Sequence, residues 1–278
     1  MSCIWPIAGI AGALGVYSFY EPYRIVLTHL DLPYRSLPKE LDGFTILHLS
    51  DLHTSKYGLL ERRAESIISS LSYDMCVITG DLATTPKVLV DIRRMLGSLH
   101  NKSPIYVVPG NSEYKPWVDT NDILQACEEQ DFTVIANTNS RIIHHGACFV
   151  LVGLDDAYSK MHDLTRAFNG IDDSAFIIAL SHCPSIVDDL INHGSSLVLS
   201  GHTHGGQVRI PGIGVFWSHM RRNKKLNDGY YSPEQLSKYL GFDVGESKLF
   251  VNRGLGTSRI HLRLNCRPEI ALLRLCAG

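Results

Sequence analysis

An α/β fold with mostly parallel pairing in its first half is what this sequence predicts, and three observations predict it. Short apolar runs of strand length recur along the chain. Helical patterns lie between the early runs. Five of the runs end in polar clusters rich in Asp, His and Asn. The runs are Phe44–Ser50 (FTILHLS), Met75–Gly80 (MCVITG), Ile105–Gly110 (IYVVPG), Cys148–Leu154 (CFVLVGL), Phe176–Ser181 (FIIALS), Ser196–Ser200 (SLVLS), Leu249–Asn252 and Glu269–Leu275. Apolar residues fall at helical spacing over Glu61–Leu71, Lys87–Leu99, Asp119–Gln130 and Ser185–Asn192. The later runs have fewer helices between them, which implies a mixed sheet or a second sheet.

The 278 residues are 45% apolar, enough for one large domain or two small ones. A formal charge of −2 argues against a dedicated nucleic-acid binder. The seven Cys are scattered without a C-x-x-C pair, which speaks against a disulfide framework and for a reducing compartment. Residues 1–20 carry no charged side chain. They lack the basic start and the cleavage site of a signal peptide, and the apolar stretch Ile4–Tyr20 is at the short end of the spanning range. They are expected to form a membrane-associated segment, spanning or lying on the bilayer. The alternative is a buried N-terminal strand or helix. The nearby Arg24, Arg35 and Lys39 favour a catalytic domain on the cytoplasmic side. Residues 21–42 then form a polar, Pro-bearing linker and 43–278 the catalytic domain. Within it, 211–247 is long and strand-poor, and is expected to be an insertion or cap loop.

The polar clusters carry the chemistry. Asp51-Leu52-His53, Gly80-Asp81, Gly110-Asn111, Ser181-His182 and Gly201-His202-Thr203-His204 each follow an apolar run. Sites in α/β sheets lie outside the carboxyl ends of strands. Five strand ends would therefore bring together Asp51, His53, Asp81, Asn111, His182, His202 and His204. That mixed N/O set suits first-row divalent metals and needs no thiolate.

The ordered pattern D-x-H, G-D, G-N, H, G-H-x-H resembles the calcineurin-like metallophosphoesterase superfamily, over roughly Phe44 to Leu275. The extended GHTHGGQ and the closing NRGLG…LRLNCRPEI (Asn252–Ile270) resemble its bacterial membrane-associated phosphodiesterase branch. The resemblance implies a four-layer α/β/β/α sandwich with two divalent metals at one edge. The mixed N/O ligands suit Mn, Fe, Co or Zn without selecting among them, and Mn is the first choice. The resemblance also implies Asp51, His53 and His204 on the first metal, Asp81 bridging, and Asn111, His182 and His202 on the second. Paired metals about 3.5–4 Å apart clamp a phosphate and acidify a water. Asp81, Asn111, His202 and Arg253 are the candidate catalytic residues. Arg253 would either contact phosphate or pair with Asp155 or Asp156.

One departure is informative. The family places a His after the Asn, where it helps protonate the leaving group. Here Ser112 follows Asn111, and Glu113 follows it as a candidate to orient Asn111 or a water. Ser cannot act as a general acid near neutral pH. Either His144, His145 or His162 replaces it, or the bond cleaved has a weakly basic leaving group, as a phosphoanhydride does. Members of the superfamily cleave UDP-2,3-diacylglucosamine to UMP and 2,3-diacylglucosamine 1-phosphate in lipid A synthesis, one with Arg at that position. That reaction is the expected function. A general phosphodiesterase on small or phospholipid substrates is the alternative, and a catalytically degenerate membrane scaffold the alternative of another class. Ser112, Phe216, Trp217, Arg221 and Arg222 are the candidate substrate contacts. The aromatic and basic residues of 216–225 suit an anionic headgroup region, though a solvated basic loop would read the same. The expected partners are a lipid or lipid-linked nucleotide sugar and a membrane surface, with no nucleic acid and no inferable protein partner.

Overall fold

A computed structural model describes residues 12, 14–96, 103–210, 212, 214–215, 220 and 222–278. Fourteen strands are present among these residues. They are β1 (Val26–Tyr34), β2 (Thr45–Leu49), β3 (Met75–Thr79), β4 (Ile105–Val108), β5 (Phe132–Val134), β6 (Thr138–His144) and β7 (Ala147–Gly153). Then come β8 (Ile177–Leu180), β9 (Leu197–Ser200), β10 (Arg209–Ile210), β11 (Gly214–Val215), β12 (Gly229–Tyr231), β13 (Lys248–Val251) and β14 (Glu269–Ala277). Helices α1 (Leu59–Ile68), α2 (Leu89–Met95), α3 (Thr120–Glu129), α4 (Leu164–Ala167), α5 (Val187–Asn192) and α6 (Pro233–Leu240) cover them.

Two six-stranded sheets form, ordered β1-β14-β2-β3-β4-β5 and β12-β13-β9-β8-β7-β6, with β10-β11 as a separate ribbon. Side-chain alternation along each strand fills the layers on both sides. In β2 and β3, Ile46, Met75 and Val77 face the space between the sheets, where they meet Phe149, Leu151, Ile178 and Phe250. Leu47, Leu49, Cys76 and Ile78 face outward onto α1, α2 and α3. The second sheet does the same, with Val152, Ala179 and Val198 against α5 and Leu236 of α6. Burial on both faces is why these strands read as unbroken apolar runs. The result is the expected four-layer α/β/β/α sandwich. β2, β3, β4 and β5 are parallel to one another, as are β7, β8, β9 and β13, so each group ends at one edge.

The expected linker at 21–42 is instead largely a strand. β1 pairs in parallel with β14 over its whole length, Val26 opposite Glu269 through Tyr34 opposite Ala277. Leu30, Leu32 and Tyr34 turn into the inter-sheet core, while His29, Asp31 and Pro33 take the other face. The polar alternates and the proline disguise it, but a sheet edge tolerates both. The expected cap at 211–247 also departs from the reading. Leu226, Leu236 and Val244 are buried in the outer core of the second sheet. β12 pairs with β13, and α6 begins at a Ser232–Gln235 capping box and ends at left-handed Gly241. Much of the segment is thus a covering layer.

Of the N-terminal segment, 1–11 and 13 lie outside the described residues, and 14–20 is helical. Among the described residues no helix is long and apolar enough to cross a membrane. The end of this helix and the residue after it are tied down: Arg263 N donates to Ser18 O, and the Glu21 carboxylate accepts from the amides of Asn265 and Cys266.

Candidate metal centre

The strand-end clusters converge. Asp51 and His53 follow β2, Asp81 follows β3, Asn111 follows β4, His182 follows β8, and His202 and His204 follow β9. His53 Nε2 lies 3.4 Å from Asp81 Oδ2, and His182 Nε2 3.4 Å from Asp81 Oδ1. His204 Nε2 is 3.3 Å from Asp51 Oδ1 and 3.2 Å from His53 Nε2. His182 Nε2 is 3.2 Å from both Asn111 Oδ1 and His202 Nδ1. Two groups have the compactness of metal sites, Asp51-His53-His204 and Asp51-Asp81-His182, the ligand atoms of each lying within 4.8 Å of one another. The two oxygens of Asp81 face different histidines, as a bridging carboxylate requires. Asp51 belongs to both groups, where the sequence reading gave it to one.

Local backbone geometry explains how so many side chains reach one point. Asp51 (φ 48), His53 (φ 45), Asp81 (φ 52), His202 (φ 69) and His204 (φ 50) are all left-handed. Such a conformation costs an ordinary residue about 1–2 kcal/mol, and Asp and His are among those that tolerate it best. The turned backbone is held by its own hydrogen bonds: Asp51 N donates to Gly80 O, His53 N to Asp81 O, and His202 N to Asp51 Oδ2. The motif glycines permit the approach of neighbouring loops. A Cβ on Gly110 would lie 2.5 Å from Asp81 N and Oδ1, and one on Gly80 2.5 Å from His182 Nδ1.

The donor set fits cations. His182 Nδ1 is 2.7 Å from Thr79 O, which fixes the proton on Nδ1 and turns the Nε2 lone pair towards the oxygens of Asp81 and Asn111. An imidazole nitrogen and carboxylate oxygens brought together in a buried site call for positive charge between them, a proton in the metal-free protein or a cation in its place. Asp51 Oδ1 is buried and accepts no hydrogen bond. Burial opposes charge on His182, but Asp81, Asp51 and Asp156 outweigh it and raise the imidazole to about 9. Burial likewise opposes charge on Asp81, yet His182 and His53 hold its carboxyl low, while burial pushes that of Asp51 up.

Several surrounding residues act differently from expectation. Glu113 does not orient Asn111. Wholly buried, its carboxylate accepts from Gly110 N (2.8 Å), Leu82 N (2.9 Å), Asp81 N (3.1 Å) and Ser112 Oγ (2.9 Å), and so staples the β3 and β4 loops together. Burial and the Asp81 charge push its pKa up to about 7. Ser112 is buried, its hydroxyl committed to Glu113 and its amide to Asp81 Oδ1 at 2.6 Å, so it presents no side chain to a substrate. Arg253 pairs with Glu269 at 2.8 Å and not with Asp155 or Asp156, because the chain turns at Gly254 to run beside β14. Arg222 pairs with Asp188 and, at 2.9 Å, Asp189 of α5, which removes it as a free phosphate contact. Phe216, Trp217 and Arg221 lie outside the described residues. His144 packs on Phe44 and His145 on His144, at the β6–β7 turn far from the ligand edge. Of the three substitutes considered, only His162 follows β7 towards that edge.

Arg263, within the NRGLG…LRLNC stretch, is a functional residue that the sequence motifs do not point to. Fully buried, it donates to the carbonyls of Arg253, Gly254 and Cys266 at 2.9–3.1 Å and also to that of Gly256. Gly254 packs on Asp51. Gln207 closes the same loop, accepting from Ser258 N at 2.9 Å and donating to Ile260 O at 3.0 Å. GHTHGGQ and NRGLG…LRLNC are therefore two halves of one clasp. Nothing in the sequence distinguishes an inward-turned arginine from a surface one.

The model for the calcineurin-like phosphoesterase family matches residues 44–206. An uncharacterized metallophosphoesterase of Bacillus subtilis, YkuE, is 29% identical over 95% of this chain and 90% of that protein. The UDP-2,3-diacylglucosamine pyrophosphatase LpxG of Chlamydia trachomatis is 28% identical over 91% of this chain and 90% of that protein. Among solved structures, a 5′-nucleotidase precursor from Thermus thermophilus superposes with a TM-score of 0.46 at 13% identity, over 84% of this chain and about half (55%) of that one.

Proposed function

The chain belongs to the calcineurin-like phosphoesterase family and is a metal-dependent phosphohydrolase, and we propose that its bond is the pyrophosphate of UDP-2,3-diacylglucosamine, cleaved to UMP and 2,3-diacylglucosamine 1-phosphate. The observation that carries this reading is the inward commitment of Ser112 to Glu113. The corner where the family has a proton donor offers none, and a phosphoanhydride, whose leaving phosphate is weakly basic, needs none. Two further features support it. An apolar hollow of about 380 Å³, lined by Val208, Ile210, Ile260 and Leu262, starts at His204. A second hollow of about 230 Å³, with a mixed lining that includes Tyr23, Leu59, Ser55, Lys56, Glu61 and His261, starts at His53. The first hollow suits the acylated half of such a substrate, and the second leaves room for its polar half. The relative with the pyrophosphatase name supports the same substrate class at 28% identity.

On this reading Asp51, His53 and His204 hold one divalent ion, Asn111, His182 and His202 the other, and Asp81 bridges. Mn is the first choice, and the same mixed imidazole and carboxylate donors would accommodate Fe, Co or Zn. Two bound cations supply charge neutralisation at the phosphate oxygens and lower the pKa of water. The protein's own part is to fix those ligands through Thr79 O, Glu113 and the Arg263 clasp. The enzyme would work at the membrane, with the catalytic domain on the cytoplasmic side. Release of UMP from UDP-2,3-diacylglucosamine by detergent-solubilised protein, with and without Mn, tests the proposal, Asp81→Ala being the control. Metal-dependent release that the substitution abolishes is the expected result. No release, with hydrolysis of a nitrophenyl phosphodiester retained, would keep the phosphohydrolase and remove the substrate, leaving a general phosphodiesterase. Loss of both activities in metal-loaded protein would leave the scaffold reading.

A further inference from the structure

A hollow of about 430 Å³ lies at the foot of the N-terminal helix, lined by Arg24, Arg63 and Arg267 with Tyr23, Ile25 and Ile67. No carboxylate lines it, and none of the three arginines makes an ion pair among the described residues. By contrast, Arg209, Arg222, Arg253 and Arg274 are each paired with Asp or Glu. Three cations from three separate segments, β1's approach, α1 and the chain before β14, thus converge on one hollow without internal compensation. Such convergence is repulsive unless an anion is shared.

The setting says which anion. Arg24 donates to Tyr17 Oη at 2.8 Å, so the hollow is joined to helix 14–20. That helix exposes Leu14 (44%), Val16 (76%), Phe19 (57%) and Tyr20 (53%). Exposed apolar residues on a short helix, beside clustered arginines, are the two components of binding to an anionic bilayer surface. Guanidinium groups match phosphate oxygens bidentately. We infer that the Arg24–Arg63–Arg267 hollow seats the phosphate of an anionic lipid headgroup and sets this face of the protein against the bilayer. Tyr23 stands between this hollow and the one that starts at His53, while none of the three arginines lines the latter; headgroup binding here therefore requires no particular bond to be cleaved at the metal centre.

Flotation of the full-length protein tests it, with vesicles of phosphatidylcholine alone and of phosphatidylcholine with phosphatidylglycerol. Each basic residue at an anionic surface is worth roughly fivefold in partition. Arg24→Gln with Arg267→Gln should therefore cut binding to the anionic vesicles about 25-fold and leave binding to the neutral ones unchanged. Both residues are exposed, and Arg63 is kept because it holds Tyr23 O. Hydrolysis of a soluble nitrophenyl diester should be the same in both proteins, which separates this result from any failure of the substrate assignment. Arg222→Gln, at an arginine already paired, should keep the full anionic preference. A double variant that retains the preference, or an Arg222→Gln variant that loses it equally, would overturn the inference. So would a thermal shift with glycerol 3-phosphate that depends on Arg24 and Arg267 in a protein indifferent to vesicle charge, since the ligand would then be a soluble phosphate.

Discussion

The hydroxyl of Ser112 donates to the carboxylate of Glu113 at 2.9 Å, inside the protein. The residue after the candidate ligand Asn111 is thereby a structural partner of the staple between the β3 and β4 loops. Ser112→Ala should cost about 1 kcal/mol of stability, the usual net worth of one such bond. Its kcat on a pyrophosphate substrate should stay within about threefold of the parent, since no proton is delivered from this position. Urea denaturation and steady-state kinetics check both halves. A tenfold fall in kcat at unchanged stability would make Ser112 catalytic and remove the argument for a phosphoanhydride.

If His182 holds a cation as proposed, metal binding should depend on pH in a definite way. The native pKa of His182 is raised to about 9 in the field of Asp81, Asp51 and Asp156, which overcome its burial. In metal-free protein, the stability it contributes is complete below its unfolded value near 6.5 and is lost as pH rises through 9. A cation needs the Nε2 lone pair, so below pH 9 it must displace that proton. Apparent Mn affinity should then rise roughly tenfold per pH unit from 7 to 9. Calorimetry at pH 7 in buffers of different ionisation enthalpy should show about one proton released per protein from this group. Heats that do not vary with the buffer would contradict it.

The clasp makes a prediction about an arginine remote from the chemistry. Arg263 satisfies carbonyls of four residues in the loop that carries Gly254 against Asp51. Arg263→Met keeps the bulk and removes the donors. Buried carbonyls left unpaired cost about 1–3 kcal/mol each, less where the loop relaxes, so a loss of about 3–5 kcal/mol is expected. Mn affinity should fall with it, as Asp51 loses its backing. Urea midpoints of the metal-free proteins and Mn titration measure the two effects. A change under 1 kcal/mol would mean the loop is held by other contacts.

The legible parts of this molecule were those where one residue type serves two purposes. Asp51, His53, Asp81, His202 and His204 are the candidate ligands and also side chains that tolerate a left-handed backbone. Strand ends therefore announced themselves, and the parallel core strands did so through burial on both faces. β1 did not, because His29, Asp31 and Pro33 break its apolar pattern at a sheet edge where such breaks are harmless. α6 was hidden behind the aromatic and basic residues preceding it, although Ser232, Pro233 and Gln235 mark its start. The partners of Glu113, Arg253 and Arg263 depend on loops meeting in three dimensions, and no spacing along the chain encodes that.

Acid stability offers a last test, through a histidine outside the candidate metal centre. His48 is wholly buried between the sheets, with Nε2 2.9 Å from Thr79 Oγ1, and its ring packs edge-on against Phe250. Burial alone drives its pKa down to about 3. A depressed imidazole contributes stability that is present above its unfolded value near 6.5 and is lost as pH falls towards 3. At pH 5 the unfolded chain gains the proton and the native state does not, a difference of about 2 kcal/mol. His48→Gln keeps a polar partner for Thr79 and cannot titrate in this range. Relative to the parent, it should therefore gain about 2 kcal/mol between pH 8 and pH 5, read as the shift in urea midpoint. The same pH dependence in both proteins would place a proton on native His48 and overturn the assignment.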